Sequence, residues 1–142
     1  MTRNSPTYDR FGGSGKYYYE AIKITVPETG AYAVGSDSKI DTFGYLYSNS
    51  FNSSNIEENL ITGDDDKATD YQFAIPYEFK STKTYILIVT THDEMVLGSF
   101  SILSYGPKEV KFSSLTSIST TTQASAILSF LCFIILFQHK FY

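Results

Sequence analysis

Tryptophan is absent from the 142 residues, cysteine occurs once and histidine twice. The single cysteine, Cys132, lies inside an apolar segment, so the chain by itself builds neither a disulfide framework nor a zinc site with cysteine ligands. Without a Cys pair and a Trp, the hallmarks of an immunoglobulin domain are also missing. Basic residues are few. Eleven Lys and Arg stand against fifteen Asp and Glu, giving a net charge of -4, and they are dispersed without a cluster. Nucleic acid needs a basic stripe, so no nucleic-acid partner is expected. The opening "MTRNSPTYDRFGG" has no apolar run and does not read as a secretory signal. Catalytic motifs are lacking too: there is no G-x-S-x-G elbow, no H-E-x-x-H and no glycine-rich phosphate loop. His92, in "THDEM" beside Asp93 and Glu94, is expected to be a solvated loop histidine. The chain is therefore read as non-catalytic.

What is abundant is aromatic: twelve Tyr and eleven Phe, interspersed with short Gly, Ser and Thr clusters. That composition suits short strands joined by turns. A strand is expected around Thr7 to Phe11, followed by the flexible "GGSG". "YYYEAIKITV" alternates, with Ile22, Ile24 and Val26 on one face. Tyr32 and Val34 share a face of the next strand, then Phe43, Tyr45 and Tyr47, then Tyr71, Phe73 and Ile75, then Phe100 and Ile102. "TYILIVTT" is apolar at nearly every position from Tyr85 to Val89, which predicts a central strand buried on both faces. Seven or eight strands of this kind predict an all-β domain, a two-sheet antiparallel β-sandwich of jelly-roll-like form.

Five segments, "YYYEAIKITVPETGAYAV", "IDTFGYLY", "GDDD", "TYILIVTT" and "GSFSI", follow one another in an order that resembles the pre-peptidase C-terminal domain. This β-sandwich module is attached to secreted bacterial proteases, and similar repeats occur in eukaryotic surface proteins. The resemblance covers roughly residues 5 to 106. It implies an extracellular, non-catalytic module, calcium-binding in some members and collagen-binding in the bacterial collagenases. The family's D-x-x-x-x-L-Y and DD elements match Asp41 with Leu46 and Tyr47, and Asp64 to Asp66. By that correspondence Asp41, Asp64, Asp65 and Asp66 are the candidate calcium ligands.

Read as chemistry, the same acidic residues admit two accounts. Asp37, Asp41, Asp64, Asp65 and Asp66 are expected in two loops, and calcium takes six to eight oxygen ligands from such loops. Aspartate is equally a good turn residue, its carboxylate bonding nearby amides and water. The EF-hand pattern is absent. Glu20 breaks the alternation of its strand, which points first to a bulge or a strand end and second to a calcium ligand, rather than to an unpaired buried charge. Tyr17, Tyr18, Tyr19, Phe43, Tyr45 and Tyr47 suit core packing, or a stacking face for a protein or glycan ligand. Asn52, in "NSS", is an N-glycosylation sequon in a polar loop.

After "SYGPKEVKF" the composition changes. Residues 1–107 are assigned to the folded module, 108–123 to a Ser/Thr-rich stalk and 124–142 to a hydrophobic helical anchor containing "AILSFLCFIILF". The anchor is expected to be either a single membrane-spanning helix or a lipid-anchor signal. Together these features predict a module tethered outside the cell, acting in adhesion or ligand binding. The alternative is an accessory piece of a secreted hydrolase or protease.

Overall fold

The computed structural model describes residues 1–115. Within them the chain forms antiparallel sheets without a helix. Ten strands run in order: β1 (Thr7–Asp9), β2 (Lys16–Tyr18), β3 (Glu20–Thr25), β4 (Gly30–Ser38), β5 (Thr42–Ser48), β6 (Leu60–Asp64), β7 (Ala74–Phe79), β8 (Tyr85–Thr91), β9 (Phe100–Tyr105) and β10 (Lys111–Ser114). They make a five-stranded sheet ordered β10-β3-β8-β5-β6, a three-stranded sheet ordered β7-β4-β9, and the β1-β2 hairpin. No helix among the described residues is long and apolar enough to cross a membrane.

Strand β8 is buried at every position and pairs with β3 and β5 at the centre of the large sheet, as its unbroken apolar run predicts. Its alternation divides the core in two. Leu87 and Val89 join Ile22, Ile24, Leu46, Tyr32, Val34, Phe73, Ile75 and Phe79, so the large and small sheets contribute to one apolar cluster. Ile86 and Ile88 face the other way, into a second cluster with Tyr8, Tyr17, Tyr45 and Tyr47. Each fully buried aliphatic or aromatic side chain contributes about 1.5–3 kcal/mol, so burying β8 on both faces makes it the strand on which the fold most depends.

The structure departs from the sequence reading in four places. "YYYEAIKITV" is not one strand: Lys16–Tyr18 pairs with β1, a ladder that runs out at the 3.0 Å bond from the Tyr19 N–H to the Pro6 carbonyl, and from Glu20 the chain pairs with β8 as β3. This is why Glu20 escapes burial on the apolar face: it starts β3, is half-buried, and accepts a 2.6 Å hydrogen bond from the Ser5 hydroxyl. Tyr71 does not share a face with Phe73 and Ile75. Asp70 and Tyr71 both adopt left-handed backbone, with φ of 59°, so β7 starts only at Ala74 and Tyr71 is exposed. Asp37 lies within β4, and Asp64 is the last residue of β6, rather than in loops. Finally, Lys111–Ser114 pairs with β3, carrying the large sheet past residue 107. Residues 116–142, including half of the expected stalk and the whole expected anchor, lie outside the described residues.

Candidate metal centre

At one end of the large sheet, β5 begins, β6 ends and β8 ends. The β5-β8 register sets Thr42 against Thr91 and Phe43 against Thr90, and the ladder continues one step as the His92 N–H donates to the Asp41 carbonyl at 3.2 Å. The β5-β6 register sets Gly44 against Asp64 and Tyr45 against Gly63. Side chains alternate along each strand. Asp41 therefore follows the parity of Phe43 and Tyr45, His92 that of Ile86 and Ile88, and Asp65 that of Gly63. All three fall on the face that carries the aromatic cluster.

The result is a compact constellation. One ligand atom each from Asp41, Asp65 and His92 lies within 4.8 Å of the other two. His92 Nδ1 is 3.0 Å from Asp65 Oδ2. The second oxygen of Asp65 and Oδ1 of Asp41 are buried and have no hydrogen-bond partner. Burial, and then the negative charge of Asp65, raise the pKa of Asp41 above the ordinary carboxylate value. Asp66 and Asp93 add to that field, while His92 opposes it. The site thus concentrates negative charge and leaves carboxylate oxygens uncompensated. Zinc held by nitrogen and oxygen at about 2.0–2.2 Å has ligands about 3.5 Å apart, a spacing between the 3.0 Å of the His92–Asp65 pair and the 4.8 Å that bounds the group.

The four aspartates singled out in the sequence do different things. Asp41 and Asp65 converge. Asp66 is exposed and contributes field. Asp64, next in chain to Asp65 but on the opposite face, turns inward: its Oδ2 accepts the N–H of Ala74 at 2.8 Å and of Lys67 at 3.2 Å, with Lys67 Nζ 3.5 Å from Oδ1. It bonds backbone and holds the 65–73 loop. Local sequence does not mark His92 as a ligand; the signal that exposes it is its even-numbered parity with Ile86 and Ile88 of β8.

Arg10 closes the inner flank. Its guanidinium lies 4.7 Å from the ring centroids of both Tyr17 and Phe43 and donates to the His92 carbonyl at 3.1 Å. Phe43 in turn stacks on Tyr45, centroids 4.6 Å apart and planes 12° from parallel. Of the six aromatics considered as a ligand platform, Tyr17, Tyr45 and Tyr47 are buried, and Tyr19 and Phe43 are partly buried and pack against them. Asn52 is exposed; its Oδ1 accepts the Ser54 N–H at 3.0 Å and its Nδ2 donates to Glu58.

His92 titrates above the usual histidine value, first because it is hydrogen-bonded to Asp65 and then because of that carboxylate's charge. Protonated His92 therefore stabilises the metal-free fold fully below about pH 6.5, the unfolded value, and this contribution is lost as pH rises through the higher folded value. Asp41 works in the opposite region: its ionisation is disfavoured in the fold, a penalty relieved as pH falls through its raised value. In chelator, an NMR titration of the His92 ring is expected to give a midpoint above 6.5 that drops in Asp65→Asn. An unchanged midpoint in that variant refutes the pairing.

The fold and site define an all-β antiparallel domain with a candidate cation centre of two carboxylates and one imidazole. Comparison of the chain with protein-family models, with curated proteins and with solved structures finds no match.

Proposed function

We propose that the chain is a non-catalytic binding module of β-sandwich form, similar to the pre-peptidase C-terminal domain, displayed outside the cell, with a divalent cation bound by Asp41, Asp65 and His92. The convergence of these three side chains, with two buried carboxylate oxygens lacking partners, carries the reading. The sandwich form is supported by the single core shared between the five-stranded and three-stranded sheets. The apolar segment at 124–142 supports a membrane tether on sequence grounds. A binding rather than catalytic role is supported by the surroundings of His92. Its ring pairs with a carboxylate, while the nearby Thr90 and Thr91 hydroxyls donate to the carbonyls of Tyr18 and Asp93.

An imidazole and two carboxylates suit zinc or another first-row divalent ion better than calcium, which prefers an all-oxygen shell. The metal ties the starts and ends of β5, β6 and β8 together and so stiffens the loops that would present a ligand. Calcium remains the second reading, favoured by the added field of Asp66 and Asp93 at Asp41. Thermal unfolding of the full chain in detergent, in chelator and then in excess zinc or calcium, separates them. At 100 times its dissociation constant the ion is expected to add about 2.7 kcal/mol. Asp41→Asn should abolish that gain while raising the metal-free melting temperature, because it removes a disfavoured charge. His92→Ala should abolish the response to zinc and spare a response to calcium bound by carboxylates alone. Identical melting in chelator and in both ions refutes the metal centre.

A further inference from the structure

Open sheets have edges, and proteins protect them with charge, proline or bulges because a bare edge recruits another strand. The outer strands here differ sharply in this respect. β7 carries Pro76 and Glu78, β10 carries Lys111, and β6 ends in Asp64 and meets β5 through a register shift at Leu46/Tyr47. The hairpin strands carry Asp9 and Lys16, which also form a 2.8 Å ion pair. β9 has none of these devices. Its six residues, "FSILSY", pair in unbroken register with β4 and, among the described residues, with no other strand. From Met95 to Pro107 the chain has no charged side chain at all.

We propose that the free edge of β9 is a self-association surface, on which a second copy of this chain adds its own β9 antiparallel and joins the two three-stranded sheets into one of six strands. Symmetry and chemistry select the second copy as occupant. A two-fold axis normal to the sheet places like strand against like strand, so any charge in β9 would meet its own counterpart and repel it. β9 is the outer strand that avoids this. The same axis preserves the faces of the sheet, so odd-numbered residues meet odd-numbered ones. With Leu103 at the axis, it faces its own counterpart, and Tyr105 faces Ser101. Tyr105 is 77% exposed and Leu103 half-buried, which leaves apolar and aromatic surface for such cross-strand pairs. In an antiparallel strand alternate residues turn their N–H and C=O groups away from the existing neighbour, so half of β9 offers backbone hydrogen bonds to a newcomer. The contact is closed: once two copies pair, neither β9 edge is left.

The test is a distance measurement between copies. The full chain carrying Cys132→Ser and Tyr105→Cys is spin-labelled at position 105, dissolved in detergent and measured by pulsed electron resonance. Pairing about the β9 axis sets the two labelled backbones about 14 to 15 Å apart, from the strand rise and spacing. A sharp short distance that is lost in Ser101→Lys, with the melting temperature of that variant unchanged, supports the proposal. Ser101 is exposed, so the lysine tests the edge rather than the fold. A monomer at 100-fold range of concentration overturns it. So does association with only broad distances beyond about 30 Å, the signature of copies gathered by their apolar tails. A short distance insensitive to Ser101→Lys overturns it as well, because the contact then lies elsewhere.

Discussion

Asp64→Ala is expected to lower the unfolding free energy of the metal-free protein by about 3 kcal/mol and its melting temperature by about 10 °C, whereas Asp65→Ala is expected to change either only slightly. The two residues are adjacent and chemically identical, so the contrast isolates geometry. Asp64 is 9% exposed and its carboxylate accepts two main-chain N–H groups, those of Lys67 and Ala74, which nothing else in the loop replaces. Truncation leaves both donors without an acceptor in a partly buried position, and each such loss costs about 1–3 kcal/mol. Asp65 instead faces the aromatic side of the sheet. Removing it loses the pair with half-exposed His92 but also relieves Asp41 of a neighbouring negative charge, and the two effects oppose each other. The response to metal should divide the opposite way: retained in folded Asp64→Ala, lost in Asp65→Ala. Circular-dichroism melts in chelator and in zinc measure all four quantities. Equal destabilisation by the two substitutions would show that the face assignment at residues 64 and 65 is wrong.

A larger loss is expected at Phe73. This side chain is fully buried where the loop enters β7, and its ring occupies a notch over Gly44 of β5: a Cβ built on Gly44 would come within 2.5 Å of the ring. Phe73→Ala removes a large side chain and leaves a cavity between the two sheets, at about 3–5 kcal/mol. Domains of this size are stable by about 5–15 kcal/mol in total, so the variant sits close to unfolding. Gly44→Ala attacks the same contact from the other side by overpacking, at about 1–3 kcal/mol. Because ring and notch are one contact, the substitutions should not add. Gly44→Ala/Phe73→Leu, in which a smaller side chain accommodates the new methyl group, should be less destabilised than the sum of its single variants. Urea unfolding of the four proteins tests this; strict additivity would mean that ring and glycine do not meet.

Alternating and continuous apolar runs were enough to read several strands from sequence. Ile22, Ile24 and Val26 share a buried face, as do Tyr32 and Val34, and β8 is central because no position from Tyr85 to Thr91 tolerates solvent. Such patterns are local consequences of a two-residue period against an apolar core. The start of β7 was illegible because Asp70 and Tyr71 adopt left-handed backbone that an alternating pattern does not report. Gln72 then holds that turn, its amide nitrogen within 3.0 Å of the carbonyls of Ile40, Asp70 and Tyr71, while its oxygen accepts from Thr42.

The sequence alone determined an all-β antiparallel domain with a continuous central strand and an unusual concentration of aspartate near two turns. Which aspartates meet was decided only by tertiary structure. Asp41, Asp65 and His92 are separated in the chain by 24 and 27 positions and come together through two strand registers, β5 with β8 and β5 with β6. A slip of one residue in either register would turn one of those side chains to the other face, since successive residues of a strand point in opposite directions. Register is fixed by the packing of whole faces, Leu46 with Leu87 in one buried cluster and Tyr45 with Ile88 in the other, and so by contacts along the full strands rather than by the site residues themselves.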